Sequence, residues 1–212
     1  MRTVTVLLLP LLLSLGGCES TYYAAMEKVG LEKRDILVDR VEDARDAQED
    51  AQEQFTTALE RYSELVDFDG GELQAVYEDL SDEYEESEAA AERVRGRVDA
   101  IEDVAGDLFD EWEDELAQYS NASLRRDSEA KLRDTRRRYE QLITAMRRAE
   151  SRMDPVLDAL RDNVLYLKHN LNASAIGALQ GELGSIRADV DRLVAEMNTA
   201  IAESNAFLAT LD

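Results

Sequence analysis

The sequence predicts an all-α protein: an elongated antiparallel bundle or coiled coil of three to four long helices. Three observations predict it. Between Glu72 and Tyr119 one set of positions steps by seven (Leu73, Leu80, Ser87, Val94, Ile101, Leu108, Glu115). A second set follows it four residues behind (Tyr77, Tyr84, Ala91, Val98, Ala105, Trp112, Tyr119). Together they form the 4-3 spacing of a helical seam, interrupted in character only at Ser87 and Glu115. The second observation is composition: 33% of residues are charged and only two are proline, and no β-branched alternating run is present, as in long helices. The third is a charge reversal across a short turn. From Glu72 to Glu115 there are 18 acidic residues against Arg93, Arg95 and Arg97, whereas Ala122 to Arg152 holds ten basic residues against five acidic ones.

Taken in order, the elements follow from this periodicity. The first helix is expected over residues 22–66, on a seam of Leu37, Val41, Ala44, Gln48, Ala51, Phe55, Ala58, Tyr62 and Leu65, with Gly30 as a weak point. Gly70-Gly71 supports a tight turn, since glycine accepts the left-handed backbone that ends helices. The second helix is the 72–119 stretch. Its roughly 48 residues would span about 72 Å at 1.5 Å per residue, more than a compact core needs. Ser120-Asn121-Ala122-Ser123 offers a second turn with cap-forming side chains. A third helix is expected over 122–171, on Leu132, Thr135, Tyr139, Leu142, Met146, Ala149 and Met153, with a kink or restart at Asp154-Pro155. Val156, Leu160, Val164, Leu167 and Leu171 continue its stripe, and Asn170-Leu171-Asn172 supplies the last turn. A fourth helix over 173–211 carries Leu179, Leu183, Ile186, Val190, Leu193, Met197, Ala200, Ser204, Phe207 and Leu211. The short turn forces helices two and three to lie antiparallel, and their opposite charges then help set partner and orientation. The alternative use of the basic residues is a patch for anionic lipid, peptidoglycan or nucleic acid.

The N-terminus adds an address. Arg2 precedes an apolar run from Val4 to Leu15, too short to span a bilayer, and Leu15-Gly16-Gly17-Cys18 follows. This arrangement resembles a bacterial lipoprotein signal. The resemblance implies a signal peptide over 1–17, a lipid on Cys18 and a tether over 18–21, and the heptads make 22–212 a single helical domain. The alternatives are an ordinary secretory signal with an incidental cysteine, or an anchor helix. Two or three acyl chains give the stable anchoring that one chain does not. Glu19, where Asp would favour inner-membrane retention in such lipoproteins, leans the expectation toward the outer membrane, in an envelope facing the periplasm.

The remaining chemistry is sparse. Cys18 is the sole cysteine and His169 the sole histidine, so neither an intramolecular disulfide nor a multi-histidine metal site can form. No phosphate loop, dinucleotide fingerprint, H-E-x-x-H or C-x-x-C motif occurs. No catalytic residue, cofactor or metal ligand is therefore expected, and no small-molecule substrate. A net charge of -23 argues against nucleic acid, whose phosphates favour a basic surface. The segment Leu165 to Ala173, holding Lys168, His169, Asn170 and Asn172, is the best candidate for contacting a partner. It breaks the heptads and groups donors and acceptors at a helix end. Its bland reading is a helix–helix turn with Asn172 as cap.

The blocks YYAAMEKVG, EKRDILVDRV, FTTALERY, EWEDELAQY, AMRRAESRMDPVL and VLYLKHNLNASAI follow one another behind the lipoprotein-like signal. In that order they resemble a group of uncharacterised bacterial lipoproteins known only as a domain of unknown function. The resemblance covers essentially the whole chain behind Cys18 and implies no activity. Some members carry the label "DNA repair ATPase"; the missing phosphate loop and the export signal argue against it here. The expected role is a non-enzymatic envelope lipoprotein, a structural or adaptor element that holds a partner or self-associates. Its rivals are an accessory lipoprotein that regulates a soluble envelope enzyme or assembly factor, and a DNA-associated coiled-coil protein.

Overall fold

The computed structural model describes residues 32–67 and 73–211. Within them lie four helices: α1 Lys33–Val66, α2 Leu73–Leu116, α3 Ala122–His169 and α4 Ala173–Leu208. No strand occurs among the described residues. Each helix packs chiefly on two others, α1 on α2 and α4, and α3 on α2 and α4, so the four close into a ring with sparse diagonal contact. This is an antiparallel four-helix bundle.

The seam positions explain the ring. All nine expected seam residues of α1, from Leu37 to Leu65, are buried, and nine of the ten expected for the fourth helix are buried, Leu183 being half-buried. Along α2 burial at the seam is complete from Ser87 to Ala105 and loosens toward both ends, with Leu73, Tyr84 and Trp112 half-buried and Glu115 exposed. Ala90, Val104, Phe109, Ala145 and Leu157 are also buried although they lie off the two-position seam. A helix with two neighbours needs a wider apolar stripe than one in a two-stranded coil.

Polar side chains fix direction and register. Lys33 reaches Glu111 at 2.9 Å, Arg97 reaches Asp43 at 3.0 Å and Gln54 Nε2 donates to Glu83 Oε2 at 2.8 Å, which sets α1 antiparallel to α2. Between α2 and α3 the expected charge pairing is present. Arg95 pairs with Asp154, Arg136 with Glu113, and Arg147 with Asp99 at 2.6 Å and with Glu102. Arg147 also holds Glu150 of its own helix at 2.6 Å. The carboxylates raise the Arg147 pKa, the hydrogen bond that Arg147 donates to Glu102 contributing most, against an opposing effect of burial. Partly exposed pairs of this kind contribute about 0–1 kcal/mol each, so they select the arrangement more than they stabilise it. On the α1–α4 side, Gln180 Nε2 donates to the Val66 carbonyl at 2.7 Å. The Tyr62 hydroxyl lies 3.0 Å from the Leu179 carbonyl and 3.1 Å from Asn163 Oδ1, joining α1, α3 and α4 through one buried proton. Burial raises the Tyr62 pKa, so the phenol stays neutral.

Three expectations about the helices are corrected. The third helix does not break or restart at Asp154-Pro155: α3 is one helix with Pro155 inside it. A proline removes one backbone donor and crowds the carbonyl four residues before it. Here Pro155 sits on the exposed side, while Met153, Val156 and Leu157 around it are buried, and Asp154 is held by Arg95. Packing and pairing therefore carry the helix across the defect. The first helix does not run unbroken from Tyr22, because Glu32 is extended (φ -73°, ψ 147°) and α1 begins after it; residues 22–31, including Gly30, lie outside the described residues. The exposed ends are shorter than the heptads suggest, α2 stopping at Leu116 and α3 at His169.

The α2–α3 turn is capped as its composition implies. Asn121 Oδ1 accepts from Ser123 N at 2.9 Å and from Leu124 N at 3.3 Å. Asn121→Ala is expected to lower stability by about 1 kcal/mol, read as a lower urea midpoint at unchanged slope. An unchanged midpoint would show that the cap is not formed in solution.

Candidate functional site

The bundle has two ends. At one, α1 begins, α2 ends, α3 begins and α4 ends: Lys33 meets Glu111 there, and Trp112 Nε1 donates to Ser128 Oγ at 2.8 Å. At the other, α3 ends and α4 begins beside Val66 of α1. At 1.5 Å per residue α3 separates the two by about 70 Å.

The sequence-predicted contact segment lies at the second end. Lys168 and His169 close the last turn of α3 and are exposed, and Asn170 is its C-cap, with Nδ2 donating to the Tyr166 carbonyl at 2.9 Å. Asn172 N donates to the Asn170 carbonyl at 2.9 Å, and Ala175 N to the Asn172 carbonyl at 2.9 Å, which turns the chain into α4. Thus Lys168, His169, Asn170 and Asn172 are brought together on one corner, and two of them also build the turn.

Sequence reasoning missed the apolar part of this corner. Leu165, Tyr166 and Leu171 are 52%, 41% and 37% exposed. Leu171 was expected to continue the buried stripe; instead the chain leaves the helix before reaching it. Tyr119 and Leu124 are the other exposed large hydrophobics among the described residues. All five therefore lie at the two ends of α3 and none along the bundle's length. The signal was available: Leu165 and Tyr166 fall between the seam residues Val164 and Leu167.

Among the described residues no three His, Cys, Asp or Glu side chains are grouped to hold a metal ion, and no helix is long and apolar enough to cross a membrane. An open cleft of about 600 Å³ lies at the first end, lined by Lys33, Glu111, Trp112, Lys131 and Leu211 among others. Two of its cations are engaged, Lys33 by Glu111 and Lys131 by Asp127 at 3.0 Å. Tyr139, half-buried against Phe109 with centroids 5.4 Å apart, has its pKa pushed up to about 12 by burial and then by Glu102. It is a packed phenol rather than an acid or base. Cys18 lies outside the described residues.

These features define a helical-bundle protein whose distinctive surface is at its ends. The family model described as "Protein of unknown function (DUF2959)" matches residues 22–211, and the chain belongs to that family. No curated protein and no solved structure matches it.

Proposed function

We propose that this protein is a non-enzymatic envelope lipoprotein that acts as a rigid spacer. Lipid on Cys18 holds it to a membrane, the outer one by the Glu19 criterion, and the α3–α4 corner engages an envelope protein. The observation carrying this reading is the position of that corner. Leu165, Tyr166 and Leu171 are exposed around Lys168 and His169, at the end of the bundle opposite to Lys33, where the chain arrives from Cys18. An aromatic with flanking apolar and polar groups is the usual make-up of an interface centre. An adaptor that holds a structural partner and an accessory that regulates an enzyme would both use this corner, and the identity of the captured protein separates them. DNA association is disfavoured by the acidic surface and the export signal.

The test has two arms. Cys18→Ala is expected to abolish labelling by a fatty-acid probe and to leave uncleaved precursor; persistent labelling would remove the anchor. In membranes carrying the lipidated chain, Lys168→Ala/His169→Ala is expected to abolish crosslinked capture of the envelope partner while the melting temperature stays put. Unaltered capture would retire the corner as the contact site.

A further inference from the structure

The α2–α3 turn carries the other two exposed large hydrophobics, Tyr119 and Leu124, 41% and 56% exposed. Arg125 and Arg126 follow Leu124 directly. Most cations of α3 are engaged: Arg136 and Arg147 by α2, Arg148 by Glu196 of α4 at 3.9 Å, and Lys131, Arg133 and Arg137 by acids of α3 itself. Arg125 and Arg126 are exposed and enter no ion pair among the described residues. From Ala117 to Arg126 there is no carboxylate, although the chain as a whole is at -23. The nearest acids are largely spent: Glu113 on Arg136, Asp127 on Lys131 and Glu129 on Arg133; Asp114 and Glu115 remain a turn back along α2.

We propose that this tip is a second membrane contact, in which Tyr119 and Leu124 enter the headgroup region of a bilayer and Arg125 and Arg126 bind anionic phospholipid. Charge and place both favour this occupant over a protein. A tyrosine and a leucine beside two cations is the composition that settles at a membrane–water interface. The tip also stands at the end of the bundle where α1 starts, 15 residues after Cys18, so lipid on that cysteine would bring it to the same surface. One acyl signal gains stability from a second, basic one. The proposal deepens the lipoprotein reading and rests on it only for which membrane is met; the affinity for anionic lipid belongs to the tip itself.

The experiment uses the mature chain, residues 18–212, carrying Cys18→Ala with one new cysteine for an environment-sensitive dye, either Ala122→Cys at the tip or Ala89→Cys midway along α2. Both positions are exposed. Phosphatidylglycerol vesicles are expected to blue-shift the dye at position 122 and not at 89, and phosphatidylcholine vesicles are expected to shift neither. In Arg125→Ala/Arg126→Ala the lipid concentration giving half the shift should rise about 30-fold, since each basic residue near the surface contributes about 1 kcal/mol. Absence of a shift on phosphatidylglycerol, an equal shift on phosphatidylcholine, or an equal shift at position 89 overturns the proposal. The chain in this test has no lipid on residue 18. A negative result therefore leaves the anchor to be judged by labelling of Cys18, and failed labelling leaves the tip to be judged here.

Discussion

Phe55→Ala is expected to lower the stability of the bundle by about 3–5 kcal/mol. Phe55 is fully buried and is among the largest such side chains in the molecule, on the helix that joins α2 to α4. Truncation removes the transfer energy of the ring and leaves a cavity that packed helices cannot collapse into without shifting whole layers. Domains of this kind are stable by about 5–15 kcal/mol, so the variant would be partly unfolded near physiological temperature. Urea unfolding followed by circular dichroism measures it. A loss below about 1 kcal/mol would mean that the α1 seam does not face the core.

Gln48→Leu is expected to act in the opposite direction, raising stability by about 1–3 kcal/mol. Gln48 is fully buried, and neither its Nε2 nor its Oε1 has a hydrogen-bond partner. An unmade hydrogen bond in the interior carries the desolvation cost of the group with no return, and leucine fills a similar volume. A higher urea midpoint, with the slope and the monomer or oligomer mass unchanged, is the expected result. A lower midpoint would show that the amide is bonded in solution, and a changed mass would show that Gln48 holds the four helices in register, the use to which a single polar seam residue is put in coiled coils. Ser87, whose buried Oγ also lacks a partner, interrupts the α2 seam, so both apolar runs carry one such defect.

The helices and their neighbours were legible because a seam records the period of a helix and a charge reversal records its partner. Leu37 through Leu65 read correctly at every position. Three things were not legible, each for a reason that lies between elements. Pro155 marks a local defect, and only the burial of Met153, Val156 and Leu157 with the Arg95–Asp154 pair shows that the surroundings outweigh it. Phe109 and Ala145 are buried because each helix meets two others, and a single-helix period does not say how many neighbours it has. At the α3–α4 corner the exposure of Leu165 and Tyr166 could be read from their place between the seam residues Val164 and Leu167, but that of Leu171 depends on where α3 ends, and heptads mark ends poorly. The pairing of α2 with α3 and the gathering of Lys168, His169, Asn170 and Asn172 were both readable; the acid-free tip at Leu124 to Arg126 was not distinguished from the rest of a basic helix.

The placement of Lys33 and His169 at opposite ends of the bundle has a mechanical meaning. A pull applied between the start of α1 and the end of α3 runs parallel to the helix axes. It asks α1 to slide past α2 and α4 along their whole length, so every core layer from Leu37 to Leu65 shares the load and must yield together. Had both points lain at one end, the same pull would have peeled the helices apart one layer at a time. The topology thus makes the bundle stiffest under tension directed from the start of α1 to the far corner, and weakest when a helix is lifted sideways from either tip.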